Sequence, residues 1–201
     1  QGVSSAASDV YKRQRKISGD SLPRYGLRCG INVDEGNLAA YRKLCLFSND
    51  GRLPPTYPHV MAFALQMQLL TARDFPAPLL GMVHLANRIR VLRPLGGVSR
   101  LRFSVSVDNL QPHEKGATLD MRTDAEDSIG LIWSETSRML CRGMKVEGEV
   151  PVVEAAEPLE MSELTRWYAD SDIGRRYARV CGDYNPIPVS YTHLRAHETK
   201  A

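Results

Sequence analysis

Pro58-His59-Val60-Met61-Ala62-Phe63-Ala64-Leu65-Gln66-Met67-Gln68-Leu69-Leu70 is the stretch that decides the fold. It opens on a proline, which suits a first helical turn because the missing N–H would find no partner there in any case. From Val60 to Leu70 the apolar side chains fall nearly all round the helical wheel, so the helix needs cover on most sides. No apolar run in the chain reaches the ~18–20 residues that span a bilayer, so this is a buried core helix. After Pro76 and Pro78 the period changes to two. Val83, Leu85, Ile89 and Val91 alternate against His84, Arg88 and Arg90 in 83–93. Leu101, Phe103, Val105 and Val107 alternate with polar residues in 101–107, and Ala117, Leu119 and Met121 do so in 117–122. Leu131 to Cys141 reads as a fourth, less regular strand around Trp133. Pro94, Gly96-Gly97 and Gln111 to Gly116 read as connectors. One apolar helix followed by half-buried antiparallel strands predicts an α+β domain whose sheet wraps the helix.

Working outward, Asp34 to Ser48 has helical spacing at Leu38, Tyr41, Leu44, Cys45 and Phe47, with Asp34 as N-cap and Asn49-Asp50-Gly51 as terminator. Glu147 to Pro158, acidic and rich in Val, Ala and Pro, reads as a linker. Met161 to Tyr168 is a short amphipathic piece, and Asp170-Ser171-Asp172 offers N-caps for a helix through Cys181. A faint repeat, 136 residues apart, matches Tyr41-Arg42-Lys43-Leu44-Cys45 with Tyr177-Ala178-Arg179-Val180-Cys181 at Tyr, Cys and one aliphatic position. That offset suits tandem copies of one small domain. The first copy then carries Leu46-Phe47 where the second carries Gly182-Asp183, so the carboxylate belongs to the second copy alone.

Residues 1–14 and 188–201 do not continue their neighbours' periodicity, and both resemble translated sequencing-adapter segments. They are set aside from the fold, along with His193 and His197, whose i, i+4 spacing has no third ligand beside it. Each end contributes +1 to the net charge of +3, which leaves +1 and no case for nucleic acid. Cys29, Cys45, Cys141 and Cys181 form no CxxC pair or zinc spacing and read as free, mostly buried thiols of a reducing compartment. With no export signal pattern at the start, the expectation is a cytoplasmic protein.

Tyr177-Ala178-Arg179-Val180-Cys181-Gly182-Asp183-Tyr184-Asn185-Pro186-Ile187 carries the chemistry. Gly182 lets the helix terminate in a conformation other residues avoid, so that Asp183 projects from a rigid element while Asn185 and Pro186 fix the turn. The plain alternative is a capped turn with Asp183 as its Asx residue. The stretch closely resembles the hydratase signature of the MaoC-like R-specific enoyl-CoA hydratases, Ser/Cys-Gly-Asp-x-Asn-Pro-aliphatic-His, at every position but the last. Pro58-His59-Val60-Met61-Ala62-Phe63 and Ala86-Asn87-Arg88-Ile89 look like the N-terminal half of double hot-dog members, so the resemblance covers residues 15–187.

The resemblance implies a double hot-dog protein with a first, noncatalytic copy over 15–146, the linker over 147–158, and the start of a catalytic copy over 159–187. It implies Asp183 as catalytic acid or base, with Tyr177, Gly182, Asn185 and Pro186 as the supporting motif. It implies addition of water to a trans-2-enoyl thioester of CoA or a carrier protein, no cofactor, and a homodimer of the intact parent as candidate assembly. The family's His falls at Pro188 here, which cannot relay a proton. This is read as truncation, and the chain is expected to be inactive as written. The competing readings are a noncatalytic acyl-binding or assembly subunit, and a thioesterase. The latter is disfavoured because it needs a carboxylate on or beside the central helix and Val60 to Leu70 has none. Among other residues, His59 and His84 read as structural and solvated respectively. Arg88, Arg90 and Arg93 read as surface charges before phosphate ligands, and Trp133 and Trp167 as packing residues.

Overall fold

The computed structural model describes residues 21–79, 81–152 and 168–184. The expected tails 1–14 and 188–201, the second half (153–158) of the 147–158 linker, Met161–Trp167, Asn185 and Pro186 lie outside the described residues. The chain divides into two compact units, one made of Gln1–Val33 with Asp50–Glu154, the other of Asp34–Asn49 with Ala155–Ala201.

The first unit is a single helix on an antiparallel sheet. Its strands are β1 (Leu27–Asn32), β2 (Met82–Val91), β3 (Arg100–His113), β4 (Gly116–Glu126) and β5 (Leu131–Arg142), in the spatial order β1-β3-β4-β5-β2. All pairings are antiparallel. The predicted strands are all present; three are longer than expected, whereas β2 starts one residue earlier and ends two earlier than the expected 83–93. Gln111 to His113 of the expected connector belong to β3, which rides over an irregularity at Asn109 (φ 53°) and turns tightly into β4 at Gly116. Gly116 makes that turn possible, since a Cβ there would run into the carbonyl of Cys141. The periodicity missed β1, whose Cys29 and Gly30 are both exposed. Cys29 is therefore not the buried thiol expected, whereas Cys141 is buried and burial pushes its thiol up to about 11.

Arg102 and Ser104 mark the outer face of β3, while Leu101, Phe103 and Val105 face inward and are almost completely buried. Onto this face packs the central helix (Tyr57–Leu70), which is α2 in chain order after α1 (Glu35–Cys45) of the second unit. Pro58 sits in its first turn, as expected. Ala62, Leu65, Gln66, Leu69 and Leu70 are buried, but Ala64 and Gln68 are exposed and Val60, Met61, Phe63 and Met67 only half-buried. The helix is thus covered along a stripe of its circumference, less than the all-round apolar wheel demanded. Trp133 is fully buried beside its start, and its indole N–H donates to the carbonyl of Pro55 at 2.7 Å. Trp133 is a packing residue, as the sequence suggests; Trp167 lies outside the described residues.

In the second unit, Asp34 caps α1 as predicted, its side chain accepting from the N–H of Asn37 at 2.9 Å. The helix ends earlier than expected, at Cys45, because Leu46 adopts a left-handed conformation (φ 60°, ψ 31°). The second helix of this unit, α3 (Ile173–Cys181), starts after Asp172 and ends on Gly182.

Replacing Trp133 with Phe strands the Pro55 carbonyl and opens a void, and is expected to destabilise the first unit by about 1–3 kcal/mol. Urea unfolding followed by far-UV dichroism reads this loss, with an unchanged midpoint as the contrary result.

Candidate functional site

Asp183 stands two residues beyond the last turn of α3. Gly182 takes the left-handed conformation (φ 76°, ψ −1°) and its N–H closes on the carbonyl of Ala178 at 2.9 Å. A glycine is the residue that adopts this cap without a Cβ penalty. The chain then reverses, and the Asp183 N–H points at the Cys181 sulfur, 3.4 Å away. Asp183 itself is half-exposed, and Tyr184 next to it is exposed. Tyr177, one turn back, is part-buried. Burial and the neighbouring Tyr41 push its hydroxyl well above the usual tyrosine range, so it stays protonated and can donate. The structure thus gathers Tyr177, Gly182 and Asp183 at one helix end. Asn185 and Pro186 lie outside the described residues.

The two halves of the 136-residue repeat superimpose in geometry at this point. Leu46 and Gly182 both take the left-handed cap, and both cap N–H groups return to the carbonyl four residues back, Arg42 and Ala178. Tyr41 and Tyr177, equivalent positions, have ring centroids 6.3 Å apart. The copies diverge one residue later. Phe47 folds back to stack on Tyr41 at 6.0 Å, whereas Asp183 occupies the matching place with a carboxylate.

A second polar cluster lies in the first unit, and sequence reasoning missed its centre. Glu135 of β5 points to the helix side of the sheet and is 2% exposed. Its carboxylate accepts from Nδ1 of His59 (2.8 Å to Oε1), from Gln66 (3.1 Å) and from Asn87 (2.5 Å). Gln66 also donates to Thr123 at 3.0 Å. Burial raises the carboxyl's proton affinity, but the His59 hydrogen bond and charge, with Asn87 and Gln66, outweigh it and hold Glu135 below its usual range. A carboxylate therefore does lie beside the central helix, which removes the stated ground against thioester hydrolysis. His59 is hydrogen-bonded, as the structural reading has it, yet its ring remains 28% exposed.

The remaining candidates sort by face. Arg88, Arg90, Arg122 and Arg138 line a groove on the outer side of the sheet, where Arg138 grips Asp120 through two bonds of 2.8 and 2.9 Å. Arg93 does not join them. It is bound to Asp127 at 2.7 Å and to the Gly130 carbonyl, which makes it a clasp on the β4–β5 turn and not a phosphate ligand. Its guanidinium, with the Ile129 and Gly130 N–H groups, holds the Asp127 carboxyl at about 2. The bulge at Leu85 puts His84 on the opposite side of β2 from Arg88 and Arg90, against the simple alternation, though His84 is exposed as expected. Among the described residues no group of three or more His, Cys, Asp or Glu side chains is placed to hold a metal, and no helix is long and apolar enough to cross a membrane.

A single helix packed on an antiparallel sheet in this order is the hot-dog arrangement. The comparisons agree. The chain is 29% identical over 159 residues to 3-hydroxyacyl-thioester dehydratase X of Mycobacterium tuberculosis, a match covering 78% of this chain and 56% of that relative. The crystal structure of that dehydratase, HtdX, matches with a TM-score of 0.69 at 24% identity, over 83% of this chain and 64% of that one. The MaoC-like dehydratase of Phytophthora capsici matches in fold with a TM-score of 0.61 at 18% identity, over 86% and 65% respectively. No family model matches the chain. The chain is thus similar in sequence to a thioester dehydratase and in fold to MaoC-like dehydratases, and it spans a little over half the length of that curated relative.

Two outcomes are expected of this geometry. Because the folded Glu135 carboxyl is held below its ordinary value of ~4.3, its stabilisation is full above that pH and is lost as pH falls through the folded value. Urea midpoints should therefore drop as pH falls below about 4 for the parent and drop less for Glu135→Gln; parallel curves would contradict this. Leu46→Gly relieves a left-handed non-glycine cap and is expected to stabilise the end of α1 by roughly 0.5–1 kcal/mol, seen as slower amide exchange there.

Proposed function

We propose that Asp183 is the proton-transferring carboxylate of an acyl-thioester hydratase or dehydratase, the parent activity being addition of water to a trans-2-enoyl thioester. The observation that carries this is the placement of Asp183. A left-handed Gly182 fixes it just past α3, on a chain related to a thioester dehydratase. A carboxylate held there can give or take the proton of a water that adds across a double bond conjugated to the thioester carbonyl. Tyr177 and Gly182 support it; Asn185 and Pro186, adjacent in sequence, complete the motif. The acyl thioester, of CoA or a carrier protein, is the partner, and a homodimer of the parent is the candidate assembly.

The first copy, with Phe47 stacked on Tyr41 in the matching place, is noncatalytic for this reaction. In this chain the relay position five residues after Asp183 is Pro188, which has no proton to exchange. The 201-residue chain alone is therefore inactive as a hydratase.

The test joins residues 15–187 to the carboxy-terminal part of the tuberculosis dehydratase and follows loss of enoyl absorbance with trans-2-enoyl-CoA. The folded chimera should hydrate the substrate and the chain alone should not. Asp183→Asn in the chimera should cost about 10²–10⁴-fold in kcat. A folded chimera that is inactive, or is indifferent to Asp183→Asn, would falsify the reading.

A further inference from the structure

His59 and Glu135 form an imidazole–carboxylate pair that hydration at Asp183 does not use. A buried carboxylate that stays ionised offers only acceptors, so the hydrogen shared with His59 must reside on Nδ1. With its Nδ1 hydrogen directed at Glu135, the ring in its neutral form presents Nε2 as an acceptor. That ring is 28% exposed while the Glu135 side chain is fully enclosed, so the pair has one accessible end. Glu135 cannot turn away, because Asn87 from β2 and Gln66 from α2 hold its two oxygens, one each. Val60, Met61 and Phe63, following His59 on the same helix, are half-exposed apolar side chains of the kind an acyl chain can lie against. On the same inner face, two residues from Glu135, the Ser137 hydroxyl is buried without a hydrogen-bond partner.

We propose that His59, oriented by Glu135, is the general base of a second site that hydrolyses acyl thioesters. The choice of a thioester rests on the substrate class proposed for Asp183; the base itself rests on the pair's geometry. Nε2 takes a proton from a water whose oxygen attacks the thioester carbonyl carbon. The tetrahedral adduct collapses with cleavage of the carbon–sulfur bond, and the imidazolium returns its proton to the departing sulfur. Water and thioester give a carboxylic acid and a thiol, with no other reactant. His59 is the catalytic residue and Glu135 a positioning residue that selects the ring's tautomer.

The test uses the 201-residue chain with butyryl-CoA and decanoyl-CoA, which are saturated and so cannot be hydrated. Free thiol is read with a chromogenic disulfide. The expected result is many equivalents of thiol per chain, abolished to background by His59→Gln, whose side chain is part-exposed. Glu135→Gln should lower kcat about 10²-fold or more at unchanged KM. It should also move the ring hydrogen from Nδ1 to Nε2 in the 15N spectrum of His59, because an amide N–H now faces Nδ1. Absence of turnover by the folded chain overturns the proposal, and so does turnover that survives His59→Gln. Should Glu135→Gln fail to fold, the His59→Gln comparison and the parent's own 15N tautomer still decide. Hydration by the chimera and thiol release by this chain are separate readouts, so either can fail without the other.

Discussion

A carboxylate in an apolar interior is the constraint on which the first unit depends. Leaving Glu135 without donors there would cost several kcal/mol, more than most single contacts contribute. Its donors are therefore obligatory, and they come from elements far apart in sequence. His59 and Gln66 are seven residues apart, two turns of α2, and so share a face. Asn87 reaches in from β2. Sliding α2 by one residue, or rotating it by a quarter turn, would break both helix bonds at once. The hydrophobic stripe of Ala62, Leu65 and Leu69 supplies most of the burial, but apolar contacts alone tolerate such slips. The polar cluster sets the register of helix on sheet.

What the sequence revealed and what it concealed follow from the same physics. The central helix and the strands around Leu101–Val107 and Ala117–Met121 were legible because one face of each is apolar and the other polar. Strand β5 looked irregular because its inward set runs Trp133, Glu135, Ser137, two polar residues where alternation expects hydrophobes. That irregularity was the signal of the buried cluster, but its partners lie 76, 69 and 48 residues away and no local pattern joins them. Strand β1 was invisible for a different reason. Leu27–Asn32 is an edge strand with exposed Arg28, Cys29 and Gly30, so burial imprints no period on it. On β2 the bulge at Leu85 breaks the parity that a pattern count assumes.

The helix end at Asp183 was legible for the opposite reason, since its determinants are contiguous. A glycine cap and the residue after it can be read from neighbours alone, and the match between Tyr41–Cys45 and Tyr177–Cys181 pointed to its counterpart. Hidden from the sequence was that Leu46 would accept a left-handed conformation that costs a leucine roughly 1–2 kcal/mol. Phe47 supplies the reason. After that cap its ring lies stacked on Tyr41, a contact that acts against the strain. The sequence alone therefore places the first helix's end three residues too late, at Ser48.

The two helix ends show how one backbone device serves different purposes. Both use a left-handed residue to reverse the chain and place the next side chain beside the last turn. With Leu46-Phe47 the placed side chain is apolar and its ring is spent on packing. With Gly182-Asp183 it is ionisable and half-exposed, and the Cys181 sulfur accepts the Asp183 N–H. The glycine matters because it makes the cap without needing a compensating stack. The residue after it need not stack to hold the cap, and a carboxylate stands at the position where the Tyr41 helix has an aromatic ring.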